Sequence, residues 1–225
     1  MPQQLTFDLP SKPALGRDAF FVSPSNALAV QKIEKWKEWP RNRMVLVGPS
    51  GSGKTHLAHV WAAEVGAKIV RAKDIFQDRI ETFAACRFLV LEDVEMAIGN
   101  EDREVALFHL YNMLDASGAS LLMTSRRPPA RWNGVLPDLK SRLSSVDVVT
   151  MQAPDDGLLS ALLVKLFKDR QIVINADLVG YLVKRMDRSA DAIHQTVASL
   201  DRLSLESKRP ITRQLAARLF DGSDP

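Results

Sequence analysis

At 225 residues the chain has room for one large domain or two small ones, with an ample core. Its 46% hydrophobic and 25% charged residues are ordinary for a globular protein, and a net charge of +3 does not by itself point to nucleic acid. There is no apolar run of membrane-spanning length, and the polar, Pro-bearing N-terminal residues are not expected to act as a secretory leader. The lone Cys86 allows no internal disulfide, so a cytoplasmic protein in a reducing compartment, with no membrane partner, is expected. Cys86 stands just before an apolar run and is expected to be buried and inert.

Residues 1–17 read as an irregular arm carrying Pro2, Pro10 and Pro13. Ser25 reads as the N-cap of a helix running to about Trp39, with Ala27, Val30, Ile33 and Trp36 on one face, and Pro40 ends it. A strand follows over 43–47, then a glycine loop, then a helix over 54–65 closed by Gly66. Strands are expected over 68–72 and 87–91, the second a continuous apolar run of the kind covered on both faces. A helix over 101–116 ends at Gly118, and strands over 120–124 and 145–151 complete the alternation. Alternating strands and helices predict a parallel sheet with helices on both sides. Beyond Pro154 the periodicity is helical over 156–168, 177–187, 189–206 and 212–220, with Thr212 capping the last segment. The expected organisation is an arm (1–17), an α/β domain (18–153) and a small all-helical domain (154–225).

The glycine loop carries most of the chemistry. Gly48-Pro49-Ser50-Gly51-Ser52-Gly53-Lys54-Thr55 fits G-x-x-x-x-G-K-[ST], and the apolar run Met44–Val47 precedes it. The glycines let backbone N–H groups turn towards phosphate oxygens, and the next helix aims its positive end at the same anion. Lys54 is placed to reach the β- and γ-phosphates, and the Thr55 hydroxyl to ligate Mg²⁺. A second acidic feature, Glu92-Asp93, ends the apolar run Phe88–Leu91. Two acids there can simply solvate a strand end. Downstream of a phosphate loop they are also the carboxylates expected near the metal and the attacking water.

An α/β phosphate-loop domain followed by a helical lid resembles the AAA+ NTPases. Phe21-Val22-Ser23-Pro24-Ser25-Asn26-Ala27-Leu28-Ala29 resembles the adenine-side segment of the bacterial replication initiator family DnaA, and Gly53-Lys54-Thr55-His56-Leu57 resembles its phosphate loop. Leu121–Pro129 resembles its sensor-1 strand, with Ser125 and Arg126 at its end. Leu139-Lys140-Ser141-Arg142-Leu143 resembles its arginine-finger segment, and Arg188-Ser189-Ala190-Asp191 resembles the start of its sensor-2 helix. The likeness runs over roughly residues 18–220. It implies an adenine nucleotide, ADP or ATP with Mg²⁺, bound by residues 48–56 with Phe21, Val22 and Arg188. It also implies a finger, Arg142, that acts on a neighbouring subunit. Arg142 can alternatively be a solvated side chain paired with an acid such as Asp138.

The differences narrow the likeness. Only the arm precedes the core, the chain stops at Pro225, and positions 56–91 leave little room for the helical insertion with which initiators grip single-stranded DNA. From residue 155 onward Lys and Arg nearly balance Asp and Glu, so sequence-specific DNA binding is not expected. The set is most similar to the Hda family of DnaA-related regulators. That resemblance implies binding to the DNA polymerase sliding clamp and stimulation of hydrolysis of DnaA-bound ATP. Gln4, Leu5, Phe7 and Leu9 resemble the family's clamp-binding peptide, although such a peptide can equally be a disordered tail or an arm packed on its own core. Self-association stays open.

Two positions depart from the initiator pattern. Glu92 stands where the first acid is usually Asp, and Arg126 stands where a smaller polar or acidic residue is usual. An arginine cannot orient water as a carboxylate does, so nucleotide binding, with ADP as a regulatory cofactor, is expected to outlast hydrolysis by the chain itself. Trp36, Trp39, Trp61 and Trp132 are not interleaved with a basic stripe and read as packing. His56 and His59 have no clustered metal ligands and read as packing or supporting residues. Two further readings are a DnaA-like or helicase-loader ATPase that assembles on DNA, which predicts DNA affinity with a steep salt dependence, and a small-molecule phosphate-loop kinase.

Overall fold

The computed structural model describes residues 11–12, 20–134 and 136–221. The arm residues Gln4, Leu5, Phe7 and Leu9 lie outside the described residues. The described chain divides into two compact units, one built on residues 26–152 and the other on 153–221 with 21–25. Among the described residues no helix is long and apolar enough to cross a membrane.

The first unit is a five-stranded sheet of β1 (Arg43–Val47), β2 (Lys68–Arg71), β3 (Phe88–Glu92), β4 (Ser120–Ser125) and β5 (Asp147–Thr150) in the order β2-β3-β4-β1-β5. Every pairing is parallel. Every residue of β1 and β4 is buried, as expected of central strands covered on both faces. The register sets Val47 beside Ser125 on one side and Thr150 on the other, and Arg71 beside Glu92. The loops that leave β1, β3 and β4 therefore start at one edge of the sheet, where ligands of open α/β sheets bind.

Helices α1 (Ala27–Glu34), α2 (Lys54–Val65), α3 (Ile80–Ala84), α4 (Glu101–Ala116) and α5 (Pro137–Ser144) accompany the sheet. α2 begins at the lysine of the phosphate loop and closes at Gly66 in the left-handed conformation. Its fully buried Trp61 meets Trp36 and Phe88 edge-on and Trp39 at a tilt, with centroids 5.2–6.3 Å apart. This aromatic cluster ties the entry to β1 to the start of β3. Three of the four tryptophans are thus packing residues, and Trp132 is buried as well.

Several sequence expectations are corrected. The first helix starts at Ala27 with Asn26, not Ser25, at its cap position; the Ser25 hydroxyl is instead 2.6 Å from that of Ser23. The helix ends at Glu34 rather than Trp39, because the Trp39 indole N–H donates to the Lys32 carbonyl and the chain closes in tight turns over Trp36–Glu38 and Pro40–Asn42. The buried face is Ala29, Val30 and Ile33, while Ala27 is exposed. Ser145 and Val146 close α5 through N–H bonds to the Arg142 and Leu143 carbonyls, which delays β5 to Asp147. Cys86 is half-buried, because it ends the short α3 turn at the surface with its thiol against the Thr82 carbonyl. α3 itself is too short to leave a readable period.

The second unit contains α6 (Asp156–Asp169), α7 (Ala176–Val183), α8 (Ala190–Ser207) and α9 (Arg213–Asp221) around Leu159, Leu163, Phe167, Leu182, Val197 and Leu200. Asp155, Asn175 and Ser189 each accept a backbone N–H in the first turn of the helix they start, and Thr212 accepts that of Leu215. α7 stops at Val183, four residues before the expected end, because the Arg185 and Met186 N–H groups both turn back to the Leu182 carbonyl.

Asp155 does more than cap α6. One carboxylate oxygen takes the Leu158 N–H at 2.8 Å, and the other takes the Ser25 N–H at 3.4 Å. Burial pushes its pKa up, but the bonds from Leu158, Ser23 and Ser25 outweigh that and hold it below the ordinary value. A depressed folded-state pKa gives stability that is complete above the unfolded value of 3.8 and is lost as pH falls through the lower folded value. Asp155→Ala should therefore cost about 1 kcal/mol near neutral pH. In urea denaturation followed by circular dichroism, the gap to wild type should hold down to about pH 4 and close below it. A gap independent of pH would assign the effect to packing instead.

Candidate nucleotide-phosphate site

The loop between β1 and α2 is shaped by its glycines. Gly51 and Gly53 adopt positive φ of 73° and 92°, a region where a side chain is strained. Gly48 is required for a different reason: a Cβ there would lie 2.5 Å from the Met151 carbonyl oxygen and 2.8 Å from the Ser52 hydroxyl. The Gly48 N–H donates to the Ser125 carbonyl and the Met151 N–H to the Val47 carbonyl, so the loop is held from both neighbouring strands. Among the described residues the buried Ser52 hydroxyl has no hydrogen-bond partner. A buried orphan hydroxyl at a helix N-terminus inside a glycine loop fits a phosphate oxygen.

Lys54, 7% exposed, donates to the Gly48 and Pro49 carbonyls, both at 2.8 Å. Burial lowers its pKa; Glu95 and Asp93 oppose that, and Arg126 adds to it. The ammonium therefore lies within the field of two acids and one guanidinium, at the end of the helix where cations are disfavoured. An anion brought to the loop relieves that cost.

The acids come from the end of β3. Glu92 is buried, with the exposed His59 ring 3.3 Å away but off the line of a hydrogen bond. Asp93 is exposed, adopts a left-handed conformation and donates its N–H to the Thr124 hydroxyl at 3.0 Å. Glu95 went unnoticed in the sequence. One of its oxygens takes the Arg126 N–H at 2.8 Å, and the other is buried without a partner among the described residues. Its only sequence signal is acidity two residues past the strand-end pair. Thr55, Glu92, Asp93, Glu95 and Arg126 line one cleft. Among the described residues no group of three or more His, Cys, Asp or Glu side chains is arranged to hold a metal. Mg²⁺ fits this cleft as an ion held by Thr55, Asp93 and phosphate oxygens, since it takes few protein ligands and keeps its waters.

Residues 155–215 match the family model of the Hda lid domain. In structure the chain is similar to domain III of the replication initiation protein DnaA from Thermotoga maritima. The TM-score is 0.80 at 19% identity, over 95% of this chain and 98% of that one. It is also similar to a DNA replication initiation factor (TM-score 0.74, 21% identity, 84% of this chain) and to a replication initiator DnaA bound to AMPPCP and single-stranded DNA (0.69, 21%, 84%). It spans only 65% and 66% of those two chains. The chain shares the fold of these proteins, and its residues 155–215 form an Hda-type lid. The parallel sheet flanked by helices and the helical lid are the fold class expected from the sequence.

Within that fold the expected site residues fall into three groups. The loop residues 48–55, Glu92, Asp93 and Arg126 come together. His56 is exposed on α2 and packs its ring edge-on against Phe20 at 5.2 Å. Ser125 is fully buried and braces the turn after β4, donating to the Arg127 carbonyl and accepting the Arg127 N–H. Arg142, on α5, lies outside the cleft, with its guanidinium 5.7 Å above the Phe108 ring. The loop entering α5 is fixed by another residue the sequence reading missed, the buried Glu104. It accepts the Gly99 and Leu136 N–H groups at 2.6 and 2.7 Å. Phe21, Val22 and Arg188 belong to the other compact unit. Arg188 precedes the α8 cap rather than opening the helix, and it pairs with Asp156 at 2.6 Å.

Gly48→Ala separates loop shape from loop flexibility. The new methyl meets a backbone oxygen that must move, so the variant should be less stable by about 1–3 kcal/mol. It should also bind ADP at least about tenfold more weakly, since the loop shifts from its phosphate-binding shape. Gly66→Ala meets open space and only a positive φ; it should cost about 1 kcal/mol with ADP affinity unchanged. Calorimetric ADP titrations of both variants check this, and equal losses in the two would contradict it.

Proposed function

We propose that the protein is a nucleotide-bound regulator of replication initiation that works on a partner's ATP. The observation that carries this reading is an intact phosphate loop in the same chain as an Hda-type lid. In this reading ADP or ATP sits on residues 48–55, and the bound nucleotide supplies the charge that the buried Lys54 and the orphan Ser52 hydroxyl are set to meet. Thr55 and Asp93 hold Mg²⁺. Glu92 is kept in place beside His59. The arginine at position 126 offers no oxygen to orient an attacking water, so hydrolysis by the chain itself is slow and ADP stays.

The partner is DnaA. Arg142, outside its own chain's cleft, is the residue to donate across the interface between the two proteins. A guanidinium donated in this way stabilises charge on the transferring phosphoryl group and contributes about 10³–10⁵ in rate in known systems. Gln4, Leu5, Phe7 and Leu9 tether the protein to the sliding clamp.

Three quantities measured on one preparation test the assignment: ADP affinity, clamp affinity and turnover of DnaA-bound ATP. Arg142→Ala should keep the first two and reduce stimulated turnover by about 10³-fold or more. Loss of ADP binding would make Arg142 part of its own pocket, and undiminished turnover would remove it from the role. Clamp binding should disappear in Gln4→Ala/Leu5→Ala with the melting temperature unchanged; clamp affinity that survives makes the peptide a coincidence.

A further inference from the structure

The cleft beside the phosphate loop is larger than a magnesium ion and its acids require. Its volume is about 650 Å³, within the range of small-molecule sites. It runs along the ends of β2, β3 and β4. Two cations, Arg71 and Lys73, line it from the β2 end, and three more, Arg126, Arg127 and Arg131, line it from the β4 end. All five are exposed, and among the described residues none of the five is in an ion pair. Three acids, Glu92, Asp93 and Glu95, line the cleft between them, which leaves the five cations in excess.

Five like charges around one concave surface repel one another, and a chain with a net charge of only +3 has concentrated them there. The wall behind them is rigid. Trp132 is 6% exposed and donates its indole N–H to the Arg127 carbonyl at 2.9 Å, which fixes the turn that carries Arg127 and Arg131. Guanidinium groups match phosphate oxygens in pairs. Buried Trp132 offers no open face for a base to stack on, so the features favour phosphoryl groups over a stacked nucleic acid.

We propose that this cleft binds a compact polyanion, an oligophosphate with two or more adjacent phosphoryl groups, alongside the nucleotide on the phosphate loop. The two rims hold it by charge-assisted hydrogen bonds. The proposal deepens the nucleotide reading and shares one edge of its site.

Isothermal calorimetry with inorganic tripolyphosphate tests it, using the full chain saturated with ADP at about 0.15 M salt. One binding event should remain with ADP present, and Lys54→Ala protein without ADP should show it too. Arg71→Gln/Lys73→Gln and Arg127→Gln/Arg131→Gln should each weaken it by about tenfold or more with ADP affinity unchanged. Tripolyphosphate that only displaces ADP, and is lost in Lys54→Ala, would overturn the proposal. So would binding indifferent to both double variants. Binding of a single-stranded oligonucleotide, but not tripolyphosphate, through the same cations would also overturn it and make the cleft a nucleic-acid face. Failure of the nucleotide reading is separately visible as absent ADP heat in wild type, and the Lys54→Ala arm still decides the cleft.

Discussion

A buried ammonium at the start of a helix is the constraint on which the rest of this site depends. Lys54 is withdrawn from water at the end of α2 that repels cations, and its burial is met by two loop carbonyls and the field of two acids. Those carbonyls are in place only because Gly48 lies against Met151 with no room for a side chain. Met151 in turn is bonded to the end of β1, so β5, the loop and α2 hold one another. The sheet order then brings Asp93 and Glu95 from the strand two places away to face the same ammonium, with β4 and its Arg126 between.

The main features of this arrangement were legible in the sequence, for physical reasons that can be named. A fully buried parallel strand must read as a continuous apolar run, and Met44–Val47 and Phe88–Leu91 do. A loop that exposes backbone N–H groups to an anion needs glycine at positive φ, which the spacing of Gly51, Gly53 and Lys54 shows. The four lid helices follow their apolar periods, and Thr212 caps the last of them as expected. What was illegible depends on tertiary contact. Nothing local says that Trp39 will take the Lys32 carbonyl and end α1 early. Nothing local says that Glu104 will reach across to Leu136, or that Glu95 will turn back under Arg126. Each of those acids sits in a helix or turn where a solvated carboxylate is the ordinary outcome, and only the fold gives it a backbone donor. The same holds for Arg71 and Lys73: nothing local says that the fold will place them across a cleft from Arg127 and Arg131.

The departures at Glu92 and Arg126 acquire a common meaning in this geometry. Glu92 is buried beside a histidine at the wall of the cleft, and Arg126 brings a positive charge to the same wall. Both changes favour holding a phosphate over cleaving one. Arg142 lies outside that cleft, on a helix entered through a loop that Glu104 clamps. Under the proposed function, a chain that held nucleotide firmly, hydrolysed it slowly and carried an arginine away from its own phosphates would have the division of labour of a regulator acting on another ATPase.

The central claim, that the buried Lys54 is held at a cost which a nucleotide phosphate relieves, is tested most directly by thermal unfolding of wild type and Lys54→Ala with and without ADP. Without ADP the variant should melt at or above the wild-type temperature, because it no longer buries a cation. With ADP at about a hundred times its dissociation constant, wild type should gain about 2.7 kcal/mol and the variant almost nothing. Equal ADP stabilisation of the two proteins, or a variant much less stable than wild type without ADP, would contradict the account.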